Sequence, residues 1–178
     1  MRNAWSSRLV VFILGIIAVG NVAAQDVKDE PGYVDLTDLS DLLGQSPDKE
    51  INIHGAMLRL VTAAARREDP ELAELLVSLQ GIFVRSFDLR RLDFDDVSRY
   101  VSLRGDKLEE TGWEVFLKVR DRNEHVSMYV LIVEDEIAGV VLMSIDRYED
   151  ETVFLNIVGD IDPDQLSRIG DKFNIGGY

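Results

Sequence analysis

The sequence predicts an α+β protein built on one mixed, mainly antiparallel sheet with helices packed on one face. Three observations carry that expectation. Apolar residues recur at helical spacing in the first half, they alternate with a period of two in the second half, and the later segments are joined by very short links. Links that short connect neighbouring antiparallel strands, whereas parallel neighbours need long crossovers.

Glu50 to His54 reads as a first strand, and Met57, Leu60, Val61, Ala64 and Ala65 then follow at helical spacing up to Arg66-Arg67. Asp69-Pro70 starts a second helix, because aspartate caps free amides and a proline at the first helical position loses no bond. Leu72, Leu75, Leu76 and Leu79 are its apolar stripe. Beyond Gly81, Ile82 to Leu89 is a strand. Phe94, Val97, Val101 and Leu108 then mark a helix that Gly105 should weaken and Gly112 should end in a left-handed turn. The last four strands are Trp113 to Arg120, Val126 to Val133, Ala138 to Asp146 and Thr152 to Val158. A short terminal helix starts at Asp162 as cap, with Pro163 at the first position and Gln165 at the third.

The amino terminus predicts export. Arg2 and Arg8 precede an apolar run from Leu9 to Val19, and the small residues Val22 and Ala24 fit a cut before Gln25. The run is shorter than the roughly 20 residues of a spanning helix, and no cysteine is present to carry a lipid. The expected organisation is a signal peptide over 1–24, an acidic solvated lead-in over 25–49 and one α+β domain over 50–178. The expected product is soluble, periplasmic or secreted, and not inserted in a membrane.

Composition bounds the function. The formal net charge of −14 repels phosphate backbones and anionic headgroups, so nucleic acid and membrane surfaces are poor partners. Without cysteine there is no disulfide, thiol nucleophile or thiolate metal ligand. His54 and His125 are the only imidazoles and stand in no metal-ligand spacing. There is no Gly-x-Ser-x-Gly elbow and no P-loop. Asp160, Asp162 and Asp164 alternate as in a calcium loop. The positions that should hold glycine and a bidentate glutamate hold Gln165 and Asp171 instead, and helix capping explains the same acids. No cofactor and no catalytic residue is therefore expected.

The second sheet face is less polar than a solvated face should be. Phe116, Tyr129 and Leu131 lie opposite Val115, Met128 and Val130, either under the acidic lead-in or open as a contact surface. The expected function is a non-enzymatic module that binds another envelope protein, or itself, through those three residues. The alternative is a divalent-cation-dependent ligand binder or hydrolase on the Asp160, Asp162 and Asp164 region.

Four stretches carry a resemblance: Pro31-Gly32-Tyr33-Val34-Asp35, Met57 to Val61 with its alanine-rich continuation, Gly112-Trp113-Glu114 leading to Lys118-Val119-Arg120-Asp121, and Val153 to Asp162. Together they resemble the bacterial exported family catalogued as domain of unknown function 4252, over roughly Tyr33 to Phe173. The resemblance implies a small periplasmic or lipid-anchored protein without established activity, and it offers no catalytic residues to carry over.

Overall fold

The computed structural model describes residues 27–162. A 3-10 turn at Val27–Asp29 precedes the short helix α1 (Leu39–Leu43). Then follow β1 (Lys49–His54), α2 (Gly55–Glu68), α3 (Pro70–Val77), β2 (Leu79–Asp88), α4 (Phe94–Glu110), β3 (Glu114–Arg120), β4 (Glu124–Val133), β5 (Glu136–Asp146) and β6 (Glu151–Ile161). One open sheet has the order β1-β2-β6-β5-β4-β3, and every pairing is antiparallel.

The connections explain why no strand pair is parallel. The pair α2 and α3 goes out and back, so β2 starts at the end where β1 finished and runs against it. The single helix α4 does cross over, but it delivers β3 to the far edge. The meander β4, β5, β6 then fills inward until β6 zips onto β2. The expected mixed sheet is thus corrected to a wholly antiparallel one.

Local chemistry starts and stops the helices as their residues dictate. Asp69 accepts from the Leu72 amide at 3.1 Å ahead of Pro70. Asp93 accepts from the Asp95 and Asp96 amides to open α4, which ends at Gly112 with φ of 93°.

Burial divides into two cores, because alternate strand residues point to opposite faces. On one face, Phe83, Phe87, Tyr129, Val141, Met143, Ile145, Phe154 and Val158 pack with Val97, Val101 and Leu108 of α4. On the other, Ile53, Leu79, Val130 and Val140 pack with Leu58, Ala65, Ala73 and Leu76 of the α2 and α3 pair. Helices on a single face were expected; helical side chains enter a core on each. The reason is that β5 and β6 are apolar in both registers.

The segment expected to be a solvated lead-in places Val27, Leu36 and Leu39 in the α4-side core. Asn156, fully buried in β6, fastens it: its Oδ1 accepts from the Val34 amide at 2.8 Å, and its Nδ2 donates to the Gly32 carbonyl at 2.9 Å and the Val140 carbonyl at 3.2 Å. Gly32 and Gly139 allow backbone to meet backbone beneath Trp113. A Cβ on Gly32 would lie 1.9 Å from the Ala138 carbonyl oxygen, and one on Gly139 would lie 2.6 Å from the Gly32 Cα.

Gly105 has the same purpose within α4. A Cβ there would lie 2.1 Å from the Tyr129 hydroxyl, so the glycine that costs helix propensity is what lets Tyr129 pass beneath the helix. Gly105→Ala is expected to destabilise the fold by about 1–3 kcal/mol despite alanine's better propensity. Adding Tyr129→Phe should recover part of that loss. Chemical denaturation of the single and double variants checks both, and a Gly105→Ala protein more stable than wild type would contradict the packing.

Candidate functional site

The three residues expected to share an open surface are placed apart. Tyr129 is only 1% exposed, enclosed beneath Gly105. Leu131 is half-buried and lines a cleft of about 360 Å³ between the Pro31–Asp35 segment and α4, with Tyr33, Arg104, Lys107 and Trp113. Phe116 alone is open, at 61%. A register shift explains this. Val115 faces Tyr129 and Leu117 faces Met128, so Phe116 is the extra residue of a bulge and leaves the alternation that would have grouped the three. The expected contact surface is therefore corrected, since its central residue is inside the core.

Exposed apolar residues cluster on β3 and β4, at Val115, Phe116, Ile132 and Val133. A broader, half-buried apolar surface lies on the face opposite α4, beyond the α2 and α3 pair. Strand register aligns its side chains in rows that cross the sheet. The row nearest the helices is Ile53, Ile82, Ile157, Val140 and Val130, joined to the helix-pair core. The next is Ile51, Val84, Leu155, Leu142, Met128 and Leu117, one residue from each strand and all half-buried. The third is Lys49, Ser86, Val153, Ser144, Val126 and Val119. On a bare sheet, neighbours shield the flanks of each side chain and leave its tip in water. Along β6 the covered residues Phe154, Asn156 and Val158 are at most 1% exposed, while Val153, Leu155 and Ile157 between them are half-buried. Among the described residues, none packs over Val84, Leu142, Leu155 and Leu117 as a helix does over their neighbours.

A fourth row borders that surface and is wholly acidic: Asp88, Glu151, Asp146 and Glu124 stand side by side on β2, β6, β5 and β4. Its two halves differ. At one end Arg90 pairs with Asp88 at 2.8 Å, Arg91 holds Asp48, and Glu151 receives Lys49 and Ser86. Hydrogen bonding from Arg90 pulls the Asp88 carboxyl down to about 2. At the other end Glu124 and Asp146 face each other with no ion pair to a described cation. Partial desolvation, then the charges of Asp146 and Asp121, push the Glu124 carboxyl up.

These opposite shifts have opposite consequences. A raised carboxyl is unfavourable above its folded value and costs nothing once protonated, so Glu124→Gln should stabilise the protein at pH 7 by a few tenths of a kcal/mol, about the cost of like charges set opposite each other. The gain should vanish as pH falls below the ordinary carboxylate range. Asp88 contributes stability above its unfolded value of 3.8 that is lost toward about pH 2. Asp88→Asn should therefore lower the melting temperature at pH 7, with the difference closing over that acid window. Melts from pH 7 to pH 2 test both signs.

The remaining candidates are scattered. His54 stacks on Phe83 at 5.9 Å between ring centroids, and His125 lies 5.4 Å from Phe94 with Nε2 3.1 Å from the Asp121 carbonyl. Asp160 is exposed within β6, which runs three residues further than expected, to Ile161. Asp162 follows it, while Asp164 and the expected terminal helix lie outside the described residues. Among the described residues, no group of three or more His, Asp or Glu is placed to hold a metal ion, and no helix is long and apolar enough to cross a membrane.

Sequence reading missed the half-buried apolar face. Its signal was present in β5 and β6, where both registers are apolar while the helix pair is too short to cover six strands.

Fold and surface together define an α+β protein on one open six-stranded antiparallel sheet, with α4 packed on one face and the α2 and α3 pair covering part of the other. The chain belongs to the family described as Domain of unknown function (DUF4252), whose model matches residues 46–169. The match begins after the Pro31-Gly32-Tyr33 segment that Asn156 holds. No curated protein matches the chain.

Proposed function

We propose that this is an exported, non-enzymatic protein-binding module of the cell envelope, and that it works through the half-bare sheet face. The observation that carries the reading is the row Val84, Leu155, Leu142 and Leu117, joined across five strands by Met128 at the margin of the helix-pair core. Contiguous apolar surface of that kind marks a partner site more often than a solvated face. The leader-like residues 2–24 support the address.

The absence of cysteine makes the test direct. Leu142→Cys should react quickly with a maleimide in the purified protein and slowly in intact cells, where a partner covers it. Leu103→Cys, 62% exposed on α4 across the sheet from this face, should react equally in both. Equal rates in both settings at Leu142→Cys would remove the support for an interaction there.

A further inference from the structure

We infer that the partner of this face is a basic amphipathic helix, a conclusion that rests on the binding-module reading above. The apolar second row and the mixed third row give the hydrophobic floor, and the acidic fourth row gives a charged kerb along one side only. Six strands about 4.8 Å apart make the second row about 24 Å long, and the second to fourth rows span about 14 Å along the strands. A helix of about 16 residues is 24 Å long and 10–12 Å wide, which matches that footprint.

Charge selects the helix's sign. Glu124 and Asp146 are the half of the kerb without an ion pair among the described residues. Burial first, and then the charges of Asp146 and Asp121, push the Glu124 carboxyl up, while Asp146 Oδ1 accepts from the Tyr148 and Glu149 amides. Lysine or arginine on one flank of a docked helix meets those two carboxylates while its apolar flank covers Leu142 and Leu155, the usual manner of helix-in-groove recognition. A second copy of the chain would present its own acidic row to a protein of net charge −14, so self-association is the weaker fit.

The probe is a labelled helical peptide of about 16 residues containing only leucine and lysine in amphipathic order, beside a twin with glutamate for lysine. Fluorescence anisotropy with the purified full chain should show the lysine peptide binding at least about tenfold more tightly, a difference that shrinks as salt rises. Leu142→Ser with Leu155→Ser should weaken it about tenfold or more, since two buried leucine contacts are removed. Glu124→Gln with Asp146→Asn relieves a repulsion and leaves an amide oxygen to accept from the Tyr148 and Glu149 amides, as Asp146 Oδ1 does. It should weaken the lysine peptide severalfold, leave the glutamate twin no weaker and flatten the salt dependence.

Twins that bind equally, with only the leucine variant losing affinity, would overturn the basic partner while leaving the face as a binding surface. Binding indifferent to the leucine variant would overturn both. A dimer in light scattering that the leucine variant dissolves would assign the face to a second copy. Affinity that rises about tenfold on deleting residues 163–178 would assign it to the chain's own end.

Discussion

Gly32→Ala is expected to destabilise the protein by about 3 kcal/mol or more, beyond the usual cost of an added core methyl. Its Cβ would stand 1.9 Å from the Ala138 carbonyl oxygen and 2.8 Å from the Gly139 Cα, both backbone atoms of the central strand β5. A flexible side chain could turn aside. Ala138 is an irregular position of β5, matched in neither ladder, but it is backbone held between Ile137 and Gly139, which pair on both edges, so the Pro31–Asp35 segment must lift. Lifting it exposes Trp113 and loosens the burial of Leu36 and Leu39. Urea unfolding followed by tryptophan emission measures the loss. A Gly32→Ala variant within about 0.5 kcal/mol of wild type would mean the two backbones do not touch in solution.

Asn156→Leu is expected to cost a similar amount, about 3 kcal/mol, by a different route. Leucine fills the volume but leaves the Val34 amide and the Gly32 carbonyl without their partner inside the core. An unmade buried hydrogen bond costs more than a made one contributes, because the group has already lost its water. Hydrogen exchange at the Val34 amide should accelerate in the variant while amides of the β5 and β6 ladder keep most of their protection. Both substitutions release the same segment, so Gly32→Ala in the Asn156→Leu background should cost clearly less than in wild type. Full additivity would show that the glycine contact and the asparagine bonds act on separate parts of the molecule.

Much of the architecture was legible. Asp69-Pro70 and Gly112 marked helix boundaries because capping and left-handed turns depend on residues adjacent in the chain. Period-two alternation placed the four late strands, and the short turns between them made those neighbours antiparallel. The misplaced contact surface shows where such reading stops. One extra residue at Phe116 reversed the alternation of β3, and a bulge leaves no mark where Val115, Phe116 and Leu117 are all apolar. Gly105 read locally as a weakness, while its cause was Tyr129, 24 positions away in β4.

The sequence by itself determined the types of the main elements, several helix boundaries, the acidic charge and the lack of thiol chemistry, since each depends on composition or on residues a few positions apart. Only the tertiary structure decided how far each face is covered, that the early acidic segment is pinned into the core, and that four acids from four strands line up beside a half-buried apolar floor. Those features arise when strand register brings Asp88, Glu124, Asp146 and Glu151 side by side, and register is a relation between distant residues that no local pattern contains.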